Sequence, residues 1–326
     1  MPLSTDLTRL LGTELPIIEG GMQNVGYADL AAAVSNAGGF GMITALTFAD
    51  PNALAQEIEK CRALTAKPFG VNISVFPTMR PPDYGAIVDA IADAGLEFVE
   101  TAGTPEVREV WDLLKARGVG IIHKCTSIRH AMSAQQHGAA AIAIDGFECA
   151  GHPGEDDIPG LILIPRAVDQ LAVPVIASGG FADGRGLVAA LALGACGITM
   201  GTRFCATREA AVHPQVKAAY VENSERDTVL LYREFRNTAR VGRNKLAETV
   251  AETTRRPGAV FADVAALVSG IKGREVLEMG DMEAGIYWAG MSQGLINDIP
   301  SCADLLGRIA ADAESIIRER LAGTLS

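Results

Sequence analysis

Short β-rich runs alternate with amphipathic stretches along residues 16–204. Eight runs read as strands: PIIEGG, FGMIT, FGVNISV, FVETAG, GIIHKCT, AAIAIDGF, PVIASGGF and GITMGTRF. They are apolar at successive positions, as strands covered on both faces are. Between them apolar residues recur at three- and four-residue spacing, as in Leu54, Ile58, Cys61, Leu64 and in Val107, Val110, Trp111, Leu114, which lines one face of a helix. Glycines stand where left-handed C-caps belong, at Gly38, Gly95, Gly118, Gly138 and Gly194. Repeated strand-helix units with doubly covered strands predict a parallel sheet, and eight of them predict a closed (β/α)8 TIM barrel of the α/β class. A doubly wound open sheet is the structural alternative.

After Phe204 the pattern changes. Residues 208–299 read as helical segments without intervening strands, notably 229–243 and 261–267, which predicts an additional helical domain. The barrel then takes residues 1–207 and 300–326. Leu305, Ile309, Ala313, Ile316 and Ile317 share one face of the closing stretch, which is expected to return as the eighth barrel helix.

The 326 residues suffice for a barrel plus an extension, and 48% hydrophobic with 21% charged residues exclude a disordered chain. With 28 Lys and Arg against 39 Asp and Glu the net charge is −11, so the surface repels phosphate backbones and no nucleic-acid partner is expected. The start, MPLSTDLTRL, has neither a basic nor an apolar signal region, and the longest uncharged stretch is broken by Gly194, Gly197 and Gly201. A cytoplasmic protein without membrane insertion is expected. Six cysteines without a C-x-x-C pair read as buried free thiols, and no histidine trio has metal-ligand spacing.

Candidate chemistry sits where barrels keep it, at the carboxyl ends of the strands. Strand seven ends in SGGFADGRG and strand eight in MGTRF, so backbone N–H groups of Gly179, Gly180, Gly201 and Thr202 could surround a phosphate. Tight turns are the plainer alternative. Lys124 ends strand five and reads three ways: a Schiff-base nucleophile, a cation that stabilises developing negative charge, or a partner of a carboxylate. His152 follows strand six in a Gly- and Pro-rich loop, where it can supply a proton or a hydrogen bond. His123 faces away from Lys124 by strand alternation, while His130, His137 and His213 lie outside the strands. Glu155, Asp156 and Asp157 are expected to be solvated or to cap the helix near Leu161. FPTMRPPDY, with Pro77, Met79 and Pro81, suits a stiff gate, and GIYWAGMSQG offers Trp288 and Gln293 to the same entrance. Ordinary packing is the alternative for both.

EGGMQ, FGVN, HKC, DGFECAGHPGEDDIPG, SGGFADGRG and MGTRF, in this order, resemble the nitronate monooxygenase (formerly 2-nitropropane dioxygenase) family of FMN-dependent barrels, nearest to its bacterial NADH:quinone reductase branch. The resemblance runs from about Leu10 to Leu321. It implies FMN along Gly21, Met22 and Gln23, with Asn72 and Lys124 at the ring's polar edge and Ala150 and Gly151 lining it. Ser178, Gly179, Gly180, Gly201 and Thr202 would take the phosphate, with Met200 beside them. Lys124 then becomes a cation for the reduced flavin, and His152 matches the family's active-site histidine. GHPGEDD lacks the arginine of a GHRG-like string, which weakens a preference for anionic nitronates. The resemblance thus implies a ping-pong oxidoreductase with NADH as co-substrate and a quinone as acceptor. A nitronate monooxygenase, a phosphosugar isomerase or aldolase, and a non-catalytic barrel are the competing readings.

Overall fold

A computed structural model describes residues 3–48, 50–76, 82–103 and 106–325. Its eight parallel strands are β1 (Ile17–Glu19), β2 (Gly41–Thr44), β3 (Phe69–Val75), β4 (Phe98–Gly103), β5 (Gly120–Cys125), β6 (Ala141–Asp145), β7 (Val175–Ser178) and β8 (Gly197–Met200). Each pairs with the next from β2 to β8, and β8 returns to β1 with Ile18 opposite Thr199. A bridge between Ile18 and Phe40 joins the last seam, where the N–H of Met42 donates to Glu19 Oε2 at 3.1 Å. The eight runs read from the sequence are thus the eight staves of one barrel.

Helices α1 (Asp6–Leu11), α2 (Ala28–Asn36), α3 (Pro51–Leu64), α4 (Tyr84–Asp93), α5 (Val107–Ala116), α6 (Ile128–Gln136), α7 (Gly160–Gln170), α8 (Gly184–Ala192) and α9 (Thr202–Cys205) accompany them. Then come α10 (Pro214–Glu222), β9 (Thr228–Leu231), β10 (Ala239–Gly242), α11 (Lys245–Thr254), α12 (Gly270–Met279) and α13 (Cys302–Ser315). The last of these packs on α2 and α8 and fills the eighth place in the helical ring. Leu305, Ile309, Ala313 and Ile316 are buried there, but Ile317 is 40% exposed. The chain widens to a π-helix at Ile316–Leu321, which turns Ile317 off the buried face.

Strand alternation divides two cores. Ile18, Met42, Ile122, Ala141, Ala143 and Ile176 pack inside the barrel with Leu7 and Leu11 of α1, which plugs its lower end. The opposite parity meets the helices: Trp111 of α5 sets its indole edge-on to the His123 ring, centroids 4.8 Å apart. Both share Thr101 Oγ1, which receives Trp111 Nε1–H at 2.9 Å and lies 3.0 Å from His123 Nδ1. Burial holds the His123 imidazole down at about pKa 4, against the Thr101 contact. The unfolded chain takes a proton from about pH 6.5 downward while the folded one resists to about 4, so stability contributed by neutral His123 is lost as pH falls through that window. His123→Gln is expected to remove about 3 kcal/mol of this acid sensitivity. Denaturant titrations of both proteins at pH 7.5 and pH 4.5 check it; parallel losses would rule out His123 as the cause.

The segment 229–243 corrects the sequence expectation. It is a hairpin in which β9 and β10 pair antiparallel, Leu231 opposite Ala239 and Val229 opposite Val241. These four residues are buried, one position in two, and pack against Val250 of α11. Residues 261–267 also form no regular helix: only a 3₁₀ turn at Phe261–Asp263 is present, with Phe261 half exposed. All six cysteines are free and buried, and burial pushes the thiols of Cys61, Cys125, Cys196 and Cys205 up to about 12. Among the described residues no helix is long and apolar enough to cross a membrane.

Candidate active site

Above the apolar plug the interior turns polar. The inward positions at the strand ends are Asn72, Glu100, Lys124, Asp145, Ser178 and Thr199, and cross-strand register sets Asn72 opposite Glu100 and Asp145 opposite Ser178. Glu100 Oε1 accepts from Asn72 Nδ2 at 2.9 Å and from the N–H of Gly21 at 3.2 Å. Its Oε2 lies 3.5 Å from Lys124 Nζ. Burial works to lower the Lys124 pKa, but the Glu100 and Asp145 carboxylates outweigh it and leave the ammonium more firmly protonated than usual. Burial raises Asp145, against the pull of Lys124 and a Ser178 hydrogen bond. A Schiff-base lysine needs the opposite shift. The site therefore holds a fixed cation on its floor, not an amine nucleophile.

Two glycine loops form one side. Gly179 and Gly180 both have positive φ, 83° and 88°, so β7 ends in consecutive left-handed residues. The N–H groups of Gly179, Gly180, Gly201 and Thr202 have no hydrogen-bond partner among the described residues. Thr202 Oγ1 is engaged, accepting the N–H of Gly290 at 3.0 Å. A Cβ on Gly179 would stand 2.9 Å from the Gly146 carbonyl oxygen and 3.0 Å from Cys149 Cβ. Strain and collision act together, so Gly179→Ala is expected to fold less stably by about 1–2 kcal/mol and to lose anion affinity by at least about tenfold. Thermal melts with and without phosphate-bearing ligand check this, and unchanged affinity would exclude the loop.

His152 lies on the neighbouring loop, after β6. Its ring contacts those of Phe76 and Trp288, with centroids 4.9 Å and 6.0 Å away and planes tilted by 30° and 43°. Burial lowers its pKa from the usual 6.5, with Glu155 opposing, so the ring is neutral at pH 7. The β9–β10 hairpin holds this loop. Gly151 and Arg240 exchange backbone hydrogen bonds of 3.0 and 2.6 Å, and Arg240 Nη2 donates to the Phe147 carbonyl at 2.9 Å. Glu155 accepts from the N–H and hydroxyl of Thr238, and Asp157 takes Arg233 with both oxygens. Glu155, Asp156 and Asp157 are all exposed, as expected of a solvated acidic run, and Glu155 and Asp157 also anchor the hairpin. Glu148 instead receives the N–H of Gly160 at the start of α7.

A cavity of about 1440 Å³ connects these parts. Gly21, Met22, Gln23, Asn72, Lys124, Ala150, Gly151, His152, Ser178, Gly179, Gly180, Gly201, Thr202 and Trp288 all line it. Two expected residues stand apart. Met200 turns its side chain into the outer core, because its strand parity is that of Ile198. Gln293 is fully buried away from the cavity, its amide donating to the Asp227 carbonyl at 2.9 Å. Pro77, Met79 and Pro81 lie outside the described residues, while their flanks Phe76 and Pro82 line the cavity. His130, expected to lie off the site on its helix, also lines it. Sequence reasoning missed Glu100, Asp145, Thr199 and Arg240. A single carboxylate inside each of two apolar strands was the available signal for the first two.

The barrel carries two glycine loops, an ion-paired lysine and a histidine around one cavity. The nitronate monooxygenase family model matches residues 4–84 and 78–312. A Mycobacterium tuberculosis protein named (3aS,4S,5R,7aS)-5-hydroxy-7a-methyl-1-oxo-octahydro-1H-indene-4-carboxyl-CoA dehydrogenase is 33% identical, over 96% of this chain and 97% of its own. A probable nitronate monooxygenase of Staphylococcus saprophyticus is 33% identical over 71% of this chain and 76% of its own. The solved structure of FabK from Thermotoga maritima superposes with a TM-score of 0.90 at 34% identity, covering 99% of both chains. This chain belongs to the nitronate monooxygenase family.

Proposed function

We propose that the protein is an FMN-dependent oxidoreductase that draws on NADH and passes two electrons to a quinone. The observation that carries the reading is the cavity itself: a lysine on its floor and, at its mouth, a slot bordered by the tilted rings of Phe76, His152 and Trp288. At about 1440 Å³ it exceeds the usual range of about 300–1,000 Å³ for a small-molecule site, which suits a cofactor and one reactant together.

The residues present fit FMN. Unpaired N–H groups of Gly179, Gly180, Gly201 and Thr202 would take the phosphate. Thr199 Oγ1 is buried without a hydrogen-bond partner and lines the cavity with Asn72 and Lys124, and this polar floor would receive the ring's heteroatom edge. When bound, FMN supplies the two-electron carrier between the donor's hydride and the acceptor. Lys124 places a permanent positive charge where negative charge gathers on reduction. Phe76 and Trp288 exclude water from a planar reactant and keep His152 neutral. The ring N–H of neutral His152 would donate a hydrogen bond to the acceptor's oxygen and ease the negative charge that gathers there, while the proton that oxygen takes up comes from solvent.

With one slot, donor and acceptor take turns, so double-reciprocal plots should be parallel. The decisive test is the anaerobic visible spectrum of the purified protein. A flavin band that bleaches with NADH and returns with benzoquinone supports the reading; a band that ignores NADH but drives oxygen uptake with a nitronate replaces it. A second reactant class, a CoA thioester, is favoured by the cavity's size together with the name of the Mycobacterium tuberculosis relative, a dehydrogenase that acts on such a thioester.

A further inference from the structure

Among the described residues that line the cavity, three carry a permanent positive charge: Lys124, Arg108 and Arg236. Lys124 is held by Glu100, and Arg108 Nη2 donates to Ser133 Oγ at 3.0 Å. The Arg236 guanidinium has no hydrogen-bond or ion-pair partner among the described residues, although the chain carries an acidic excess of 11 charges. Its backbone is also unusual. The turn between β9 and β10 has two non-glycine residues in the left-handed region, Tyr232 at φ 62° and Arg236 at φ 53°. Each costs on the order of 1–2 kcal/mol, and such strain persists where the surroundings over-determine it. Here they do: Asp157 grips Arg233, Glu155 grips Thr238, and both acids come from the His152 loop. The turn is thereby fixed beside His152 with Arg236 and Asn237 on the rim of the cavity.

An acidic protein that admits a phosphate-bearing reactant needs a local cation at the mouth, and a guanidinium fork matches phosphate oxygens two at a time. We propose that Arg236, with the Asn237 amide beside it, binds the diphosphate of a nucleotide-bearing substrate while the reactive end occupies the His152 slot. The proposal rests on the reading that reactants enter by that slot. Two sources share this chemistry, a nicotinamide dinucleotide and coenzyme A.

The test uses FMN-loaded wild type, Arg236→Ala and Arg236→Lys. Anaerobic flavin reduction is timed with NADH and with N-benzyl-dihydronicotinamide, which lacks the diphosphate, and coenzyme A binding is measured by calorimetry. A fall of about tenfold in the preference for NADH over the phosphate-free donor in Arg236→Ala, partly restored in Arg236→Lys, supports the site and identifies the dinucleotide as its source. An unchanged preference with coenzyme A affinity reduced about tenfold supports the site with CoA as its source. Equal slowing with both donors, or no change in preference and in coenzyme A affinity, overturns it. If neither donor bleaches the wild-type flavin, the NADH reading fails separately and the coenzyme A arm decides alone: undiminished or absent binding overturns the site.

Discussion

Lys124→Met is expected to lose about 3–5 kcal/mol of stability at pH 7.5. The ammonium stands 3.5 Å from Glu100 Oε2 and is also held by the Asp145 charge. Without it, Glu100 keeps only the Asn72 amide and the N–H of Gly21, both on Oε1, and Oε2 is left bare in the interior. Asp145, already raised by burial with Lys124 pulling the other way, rises further. A carboxyl whose folded pKa exceeds its unfolded value of about 3.9 holds its proton more tightly when folded, so the variant's deficit develops as pH climbs from about 4 and shrinks below it. Urea titrations at pH 4 and pH 7.5 check this. A deficit equal at the two values would mean lost packing rather than an uncompensated charge. Adding Glu100→Gln should recover part of the loss, as a coupled pair requires. With FMN loaded, the reduction potential should become more negative, and an unchanged potential refutes the role assigned to Lys124.

The barrel was legible because its strands are apolar on both faces and its helices stop at residues whose conformation the sequence announces. Gly38, Gly95, Gly118, Gly138 and Gly194 all have positive φ, between 67° and 93°. The hairpin was not legible, for a related reason. Its turn places Tyr232 and Arg236, not Gly or Asn, in the left-handed region, so the usual punctuation is missing. The run TVLL that forms β9 is too short to separate a period of two from one of 3.6. Only burial of Val229 and Leu231 against Ala239 and Val241 decides it.

The site divides in the same way. Lys124, His152 and the glycine loops stand at strand ends, where position alone marks them. Glu100 and Asp145 acquire meaning only through register, which brings Glu100 beside Asn72 and Asp145 beside Ser178 from strands separated in sequence. Arg240 is further removed still. Its contact with Gly151 depends on a hairpin the sequence hid, and through it a segment outside the barrel fixes the loop that carries His152.

His152→Ala should then slow the acceptor half-reaction by about 10²-fold while NADH still bleaches the flavin. The pH profile distinguishes a working imidazole from a merely structural one. Burial among Phe76 and Trp288 lowers the His152 pKa below 6.5, so the neutral ring is present throughout the neutral range and is lost only as pH falls through the depressed value. Wild-type turnover with quinone should stay level from pH 8 to about 6.5 and break below it, and His152→Ala should show no break. Trp288→Ala opens one side of the slot and relieves the desolvation, so its break should move upward toward 6.5. A break that survives in His152→Ala belongs to another group, and one that does not move in Trp288→Ala would show that the aromatic slot does not set the basicity of this histidine.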